Sequence, residues 1–103
     1  MTSDAFSTAT PPPAWARLLF TLERAPRVAQ KMWDTHQESH VHPDGSYEVS
    51  FPYSDDLELL DNILSFGPDV EVLAPDDLRQ KVQRRLLAAF ARYVRGADAA
   101  IFP

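Results

Sequence analysis

Prolines and glycines divide this chain into short segments, and their positions constrain the fold more than any other feature. Both residues interrupt helices and strands, so each regular element has to fit between them. The interruptions at Pro26, Gly45, Gly67-Pro68 and Pro75 leave one long uninterrupted stretch, residues 76–95. The sequence therefore predicts several short elements followed by a single long helix.

Strands are predicted where apolar and polar residues alternate with a period of two. This pattern occurs in the segments 16–24, 39–42, 47–53 and 70–73. The middle two flank an Asp44-Gly45 turn and should form a hairpin. The strand residues expected to share the inward face are Leu18, Phe20, Leu22, Tyr47, Val49, Phe51, Tyr53, Val70 and Val72.

Helices are predicted where apolar residues recur every three or four positions. The first follows Pro26 and runs to about Gln37, with Val28/Met32 and Ala29/Trp33 as its apolar pairs. The second begins after Ser54, the expected N-cap, and stops at Gly67-Pro68. Its expected apolar stripe is Leu57, Leu60 and Leu64, with Phe66 packing near its end.

The last helix, 75–95, carries two apolar stripes rather than one. The first consists of Leu78, Val82, Leu86, Ala89 and Tyr93, and the second of Leu87, Phe90 and Val94. One domain face normally covers one stripe, and an exposed apolar patch tends to mark an interface. We therefore expect Leu87, Phe90 and Val94 to meet a second copy of the chain or a neighbouring domain, unless the N-terminal leader folds back over them.

The element order β-α-β-β-α-β-α predicts an α+β, ferredoxin-like domain with an antiparallel sheet and an additional C-terminal helix. A chain of 103 residues fits one such domain. Residues 1–13 are rich in Ser, Thr and Ala and end in three prolines, so a flexible leader is expected there. The predicted domain covers 14–96, and 97–103 form a tail.

Charge is distributed unevenly along the chain. Residues 1–37 sum to +1, residues 38–78 contain eleven acidic and no Lys or Arg residues, and residues 79–103 sum to +5. The acidic middle and the basic last helix are expected to attract each other within the fold or across an interface, unless both are simply solvated faces.

Several function classes lack their sequence signals. There is no cysteine, so a disulfide scaffold or a Cys-based zinc site is excluded, and no apolar run is long enough to span a membrane. No Gly-rich phosphate loop and no G-x-S-x-G occurs. His36, His40 and His42 lie near one turn, but their spacing matches no metal motif. We therefore predict no catalytic residue, no metal, no cofactor, no signal peptide and a cytoplasmic location.

The segment LSFGPDVEVLAP from Leu64 to Pro75, followed by Leu78-Arg79, closely resembles the signature of the WYL C-terminal extension, or WCX domain. That domain forms the C-terminal end of bacterial WYL-type transcriptional regulators. Further upstream, Trp33, Gln37 and the Asp44-Gly45 turn resemble the family's W…Q…DG stretch, and Tyr93 resembles its late tyrosine. The structural signature consists of Trp33, Gly67, Pro68, Pro75 and Leu78.

The resemblance implies a regulatory role rather than catalysis. In such regulators this domain is associated with dimerisation and with the response to an effector, often a nucleic acid, bound largely by the WYL domain. The winged helix-turn-helix, the WYL domain and the Trp-Tyr-Leu motif do not occur in this sequence. The expected partners are therefore a second copy or the WYL domain of the same regulator, without specific binding of duplex DNA by this domain alone.

Two function classes stay open at this point. One is the WCX module of a regulator, and the other is a stand-alone ACT-like domain that binds a small molecule on the same fold plan. Arg79 and Arg84 are the candidate contacts to a ligand or phosphate, because guanidinium groups bind such anions with two parallel hydrogen bonds. A structural ion pair of Arg79 with Asp76 or Asp77 is the competing interpretation.

Overall fold

The computed structural model describes residues 14–97, which form a four-stranded antiparallel sheet and its helices. In chain order the elements are β1 (Ala14–Phe20), α1 (Ala25–Val28), β2 (Glu38–Val41), β3 (Tyr47–Tyr53), α2 (Asp56–Leu64), β4 (Val70–Ala74) and α3 (Asp76–Ala97). A single 3-10 turn, Gly67–Asp69, joins α2 to β4. None of the helices in this part of the chain is long and apolar enough to cross a membrane.

The strand order in the sheet is β2-β3-β1-β4, with every neighbouring pair antiparallel. Leu18 of β1 lies opposite Val49 of β3 on one side and Val72 of β4 on the other. All three side chains are buried because successive residues of a strand alternate between its faces. This order and the added C-terminal helix confirm the predicted ferredoxin-like arrangement.

The core lies between the sheet and the helices. The strands contribute Ala16, Leu18, Phe20, Tyr47, Val49, Phe51 and Val72, and the helices contribute Val28, Leu59, Leu60, Ile63, Leu78 and Val82. Phe20 and Ile63 are among the largest side chains that solvent does not reach. The inward faces predicted for β3 and β4 are confirmed, with Val70 half-buried against this core.

The predicted helix 26–37 is wrong over most of its length, because α1 ends at Val28. The side-chain oxygen of Gln37 accepts hydrogen bonds from the N–H groups of Trp33 and Asp34, at 2.7 and 3.3 Å. The Asp34 carboxylate in turn accepts the N–H of His36. These bonds satisfy backbone donors locally and so replace a helical ladder. Met32, expected on the apolar stripe, is 69% exposed.

The first strand is shifted toward the N-terminus relative to the prediction. It ends at Phe20, and the N–H of Thr21 donates to the carbonyl of Asp69 where the chain leaves the sheet. Leu22 therefore never joins the inward face and is 54% exposed. In the sequence, the apolar alternation of Leu18, Phe20 and Leu22 continues beyond Phe20, the last residue of β1 that pairs with β3 and β4.

The apolar face of α2 differs from the predicted stripe. Asp55, not Ser54, is the N-cap, and its carboxylate accepts the N–H of Glu58 at 3.1 Å. The buried residues are Leu59, Leu60 and Ile63, whereas Leu57 is 69% exposed. Leucines occupy both sides of this helix, so spacing alone could not choose the buried side. The predicted leader 1–13 and residues 98–103 of the predicted tail lie outside the described residues.

Candidate interaction surface

Helix α3 is longer than the sheet edge that supports it. Its 22 residues span about 33 Å, whereas the five residues of β4 span about 17 Å. Leu78 and Val82, in its first two turns, are buried against the domain. Phe90 lines one groove with Val70, the first residue of β4, so the helix follows β4 back to the start of that strand.

The second half of α3 exposes a continuous set of large apolar side chains. We call the distal apolar face of α3 the set Leu86, Leu87, Phe90, Tyr93 and Val94. Leu87 and Phe90 are each 59% exposed and Tyr93 is 79% exposed. An apolar groove of about 400 Å³ between β4 and α3 continues this face toward the sheet.

This arrangement changes the interpretation of the first stripe. Leu86 and Tyr93 were expected to face the core with Leu78 and Val82, but they are 48% and 79% exposed. The second predicted stripe runs along the same uncovered half, where Leu87 and Phe90 are exposed and Val94 is half-buried. Two stripes predicted as separate therefore merge into one surface.

Ion pairs fix the first half of α3 to the domain. The Arg79 guanidinium donates from Nη1 to Glu71 Oε2 and to the carbonyl of Val72, both at 2.8 Å. Lys81 Nζ donates to Asp56 Oδ2 at 2.6 Å, and this contact raises the pKa of Lys81 above its ordinary value. The sequence-based pairing of Arg79 with Asp76 or Asp77 is replaced by a bond to the neighbouring strand.

Three further arginines of α3 have no such role among the described residues. Within residues 14–97, the guanidinium groups of Arg84, Arg85 and Arg92 have no hydrogen bond or ion pair, and all three side chains are exposed. Arg84, a predicted ligand or phosphate contact, is thus exposed and has no ion pair among the described residues. Arg79, the other predicted contact, is instead hydrogen-bonded to Glu71.

The signature residues have structural positions. Gly67 adopts a positive φ of 60° between α2 and β4, and Pro68 follows it in the 3-10 turn. Pro75 directly precedes α3, and Leu78 is 1% exposed. Trp33 stacks on Phe51 with ring centroids 5.1 Å apart. These residues set the path of the chain and fill the core.

An aromatic cluster around Trp33 was not predicted from the sequence. Its indole also contacts the rings of Phe20 and Phe66, and the Lys31 ammonium lies 4.7 Å from its centroid. The indole N–H is buried and has no hydrogen-bond partner within residues 14–97. Packing, not hydrogen bonding, therefore holds the ring. The sequence predicted a helix around Trp33, whereas the structure has a loop there that brings the ring to Phe51 of β3. The contact could therefore not be inferred from the predicted helix.

A polar network on the open face of the sheet was also missed. Glu48 Oε2 accepts from Nε and Nη2 of Arg17, at 2.9 and 2.6 Å, and Glu48 Oε1 lies 2.9 Å from His42 Nε2. The bonds from Arg17, and then from His42, lower the pKa of Glu48 below its ordinary value. Register explains the network, because Arg17 and Glu48 lie on neighbouring outward positions of β1 and β3.

The histidines do not converge on one point. His40 and His42 contact each other edge to face with centroids 4.5 Å apart, while His36 lies 3.2 Å from Asp34. Across residues 14–97 no group of three His, Cys, Asp or Glu side chains is arranged to hold a metal ion.

Comparison with known proteins identifies the family. The model of the WCX domain matches residues 12–90. Protein PafC of Mycobacterium tuberculosis is 42% identical over 55 residues, which cover 53% of this chain and 17% of PafC. Protein PafC of Mycobacterium leprae is 33% identical over 63 residues, covering 61% of this chain and 19% of that protein.

A solved structure has the same fold. Proteasome accessory factor B/C (PafBC) of Arthrobacter aurescens is similar with a TM-score of 0.59 and 24% identity, over 86% of this chain and 14% of that one. At this identity the likeness shows the fold alone. The chain spans less than a fifth of the length of each of these proteins. The resemblance to the C-terminal extension of WYL-type regulators is confirmed, and the chain belongs to the WCX domain family.

Proposed function

We propose that this chain is the regulatory C-terminal domain of a bacterial WYL-type transcriptional regulator, where it forms dimers and contributes to the effector response. The observation that carries the proposal is the distal apolar face of α3 on a domain that belongs to the WCX family. Exposed apolar patches of this kind mark interfaces in soluble proteins. The relatives named PafC and PafBC support a role within a longer protein.

The proposed role is not catalytic. The ion pairs among residues 14–97 are structural, since each joins two elements or stabilises one loop, as Arg24 does by bonding to Asp69 at 2.9 Å. Glu48, the least exposed partner among these pairs, is held by Arg17 and His42 on an open sheet face rather than in a cleft. Binding and positioning, not bond-making, is the chemistry such groups support.

The proposed partners are a second copy of the chain or the WYL domain of the same regulator, in the cytoplasm. A nucleic acid or small-molecule effector would act in the full regulator rather than bind chiefly here. The ACT-like alternative shares the ferredoxin-like plan, so the fold does not separate the two. The WCX family match favours the regulator.

Sedimentation equilibrium tests the dimerisation part of this proposal. We expect the wild-type chain to dimerise at micromolar concentrations, and Leu87→Asp and Phe90→Asp to weaken the dimer because each places a charge in the apolar contact. Ala88→Asp is the matched control, since Ala88 is an exposed neighbour of Leu87 that lies outside the distal apolar face. A wild type that remains monomeric at the highest soluble concentration contradicts dimerisation of this domain.

A further inference from the structure

We infer that residues 5–8 add a strand to the free edge of β4 and place the ring of Phe6 in the groove between β4 and α3. This contact lies within one chain and is independent of the proposed dimerisation. Three features support it: the direction of the backbone groups of β4, the groove that opens at this edge, and the reach of the segment before β1.

The backbone of β4 presents hydrogen-bonding groups at its outer side. The N–H of Thr21 donates to the carbonyl of Asp69, so the backbone of Asp69 points toward β1. In an antiparallel pair this direction alternates along the strand, so the backbone groups of Val70 and Val72 point away from β1. The bond from Arg79 Nη1 to the carbonyl of Val72 agrees with this direction. The carbonyl of Val70 and the N–H of Val72 therefore face the free edge.

Of the two edges of the sheet, β4 is the less protected. An open edge invites pairing with other chains, and proteins protect it by shortness, by charge or by a covering segment. The opposite edge, β2, has only four residues and carries the polar side chains of Glu38 and His40. β4 is longer and mostly apolar, and its one charged side chain, Glu71, is already bonded to Arg79. A covering segment is therefore expected at β4.

The groove between β4 and α3 opens at the same edge. Its volume is about 400 Å³, and both Val70 and Glu71 line it. Consecutive strand residues place their side chains on opposite faces of the sheet, so a groove that both line passes along the edge between the faces. Its wall on α3 includes Val82, Leu87 and Phe90. A strand added here bonds to the backbone of β4 and sets alternate side chains against an apolar wall.

The segment before β1 has a suitable composition for this strand. Residues 5–8 read Ala-Phe-Ser-Thr, and Phe6 is the single aromatic residue before Ala14. The prolines at 11–13 have no N–H to donate and so cannot prolong a ladder. Consecutive prolines favour an extended conformation, which suits them to connect the added strand to β1.

This segment is also long enough to reach the edge. Glu71 pairs with Leu19, which lies about 17 Å along β1 from Ala14. The free edge lies beyond β4, two strand spacings or about 10 Å to the side, so the direct distance is about 20 Å. The stretch from Ser7 to Ala14 extends to about 23–25 Å. A segment that enters β1 from this side runs parallel to β4.

The register follows from the position of Phe6. We place Ser7 opposite Glu71 in a parallel ladder. The N–H of Ser7 then donates to the carbonyl of Val70, and its carbonyl accepts the N–H of Val72, the two groups that face the edge. Because side chains alternate between the faces, Phe6 lies on the same face as Val70 and enters the groove.

Hydrogen exchange measured by mass spectrometry on the full chain at sub-micromolar concentration tests this contact. We expect the N–H of Val72 to exchange about tenfold faster or more in Phe6→Asp than in the wild type, because a charge in the apolar groove releases the strand. Ser7→Pro should have the same effect, because it removes the donor to β4. Ser3→Pro and Phe102→Asp are the matched controls outside the added strand, and both should leave the exchange of Val72 unchanged.

The outcomes distinguish the possible occupants of this edge. Equal exchange of Val72 in the wild type, Phe6→Asp and Ser7→Pro would overturn the contact. Acceleration by Phe102→Asp alone would overturn it in favour of the segment after α3, and protection that disappears on dilution would overturn it in favour of a second copy. Protection that is independent of concentration and lost in both Phe6→Asp and Ser7→Pro supports it. Slow exchange of the buried Val49 in every variant establishes that each is folded.

Discussion

Gly67 lies at the turn that connects α2 to β4. Its φ of 60° lies in the left-handed region that glycine adopts at little cost. A Cβ built on Gly67 meets no atom within 4 Å, so a side chain would be strained by its backbone and not by its neighbours. At Gly45, by contrast, a Cβ would also lie 3.3 Å from Leu22 Cβ.

We therefore expect Gly67→Ala to lower the free energy of unfolding by about 1–2 kcal/mol, the cost of the left-handed conformation for an L-residue. Gly67→Asn should lose less, because asparagine tolerates this region better than alanine. Urea unfolding of the three proteins measures the difference. Equal losses for alanine and asparagine would show that steric contact, rather than φ, sets the cost.

Glu48 gives a prediction on pH dependence. Hydrogen bonds from Arg17 and then from His42 lower the pKa of this carboxyl in the folded protein. A lowered folded-state pKa means that the stabilisation is fully present above the ordinary value of 4.5 and is lost as the pH falls through the folded-state pKa. Glu48→Gln should therefore flatten the fall in unfolding free energy between about pH 5 and pH 2.

The measurement is a series of urea unfolding curves across that pH range. The expected difference at neutral pH is small, about 1 kcal/mol or less, because Arg17 is half exposed. Glu38→Gln is the control, since it removes one charge from the adjacent strand, where the carboxylate has no ion pair within residues 14–97. Parallel pH profiles for wild type and Glu48→Gln would contradict the role given to this network.

At the scale of the elements, α2 shows how spacing can misplace part of a buried face, since Leu60 and Leu64 of the predicted stripe pack in the core but Leu57 does not. Leucine spacing favoured a stripe through Leu57, but the buried face is formed by Leu59, Leu60 and Ile63. We expect Ile63→Ala to cost about 2–5 kcal/mol because the side chain is 1% exposed. Leu57→Ala should change stability by about 0.5 kcal/mol at most, as surface substitutions do.

Unfolding by denaturant at concentrations where the chain is monomeric measures both variants. The low concentration keeps self-association from contributing to the measured free energy of unfolding. A large loss for Leu57→Ala in the monomer would mean that this leucine is packed within its own domain.

Local chemistry made most of the elements predictable. Alternation located all four strands to within a few residues, and Gly67-Pro68 and Pro75 marked the ends of their neighbours correctly. The helix predicted after Pro26 is wrong because the side chains of Gln37 and Asp34 bind backbone N–H groups at residues 33, 34 and 36, and such bonds leave no periodic signal in the sequence. Aromatic stacking of Trp33 on Phe51 is likewise a tertiary contact between distant parts of the sequence.

The candidate surface was predictable only in part. The sequence shows two apolar stripes on the last helix, but which residues are covered depends on how that helix packs against β4, a different element. Leu86 and Tyr93 could therefore not be separated from Leu78 and Val82 by spacing. Arg79 pairs with Glu71, and Lys81 pairs with Asp56. These partners likewise depend on how α3 packs against β4 and α2.

At the scale of the whole molecule, the structure resolves the charge pattern into two parts. Basic residues from outside the acidic segment compensate it at four points, with Arg17, Arg24, Arg79 and Lys81 as the donors. Arg84, Arg85 and Arg92 of α3, by contrast, have no ion pair among the described residues. The chain as a whole carries a net charge of −5.

This layout predicts that the isolated chain does not bind duplex DNA specifically. Sequence is read by side chains that reach base edges from an element lying in a groove, whereas Arg84, Arg85 and Arg92 can neutralise phosphates without reading bases. Any binding should be weak, indifferent to sequence and lost as salt rises, because it comes from counterion release.

Gel shifts with several labelled duplexes at low and physiological salt measure this binding. Arg84→Ala with Arg92→Ala should abolish the low-salt shift, while Arg27→Ala should not. A sequence-dependent shift at sub-micromolar protein and physiological salt would show that this domain reads DNA by itself.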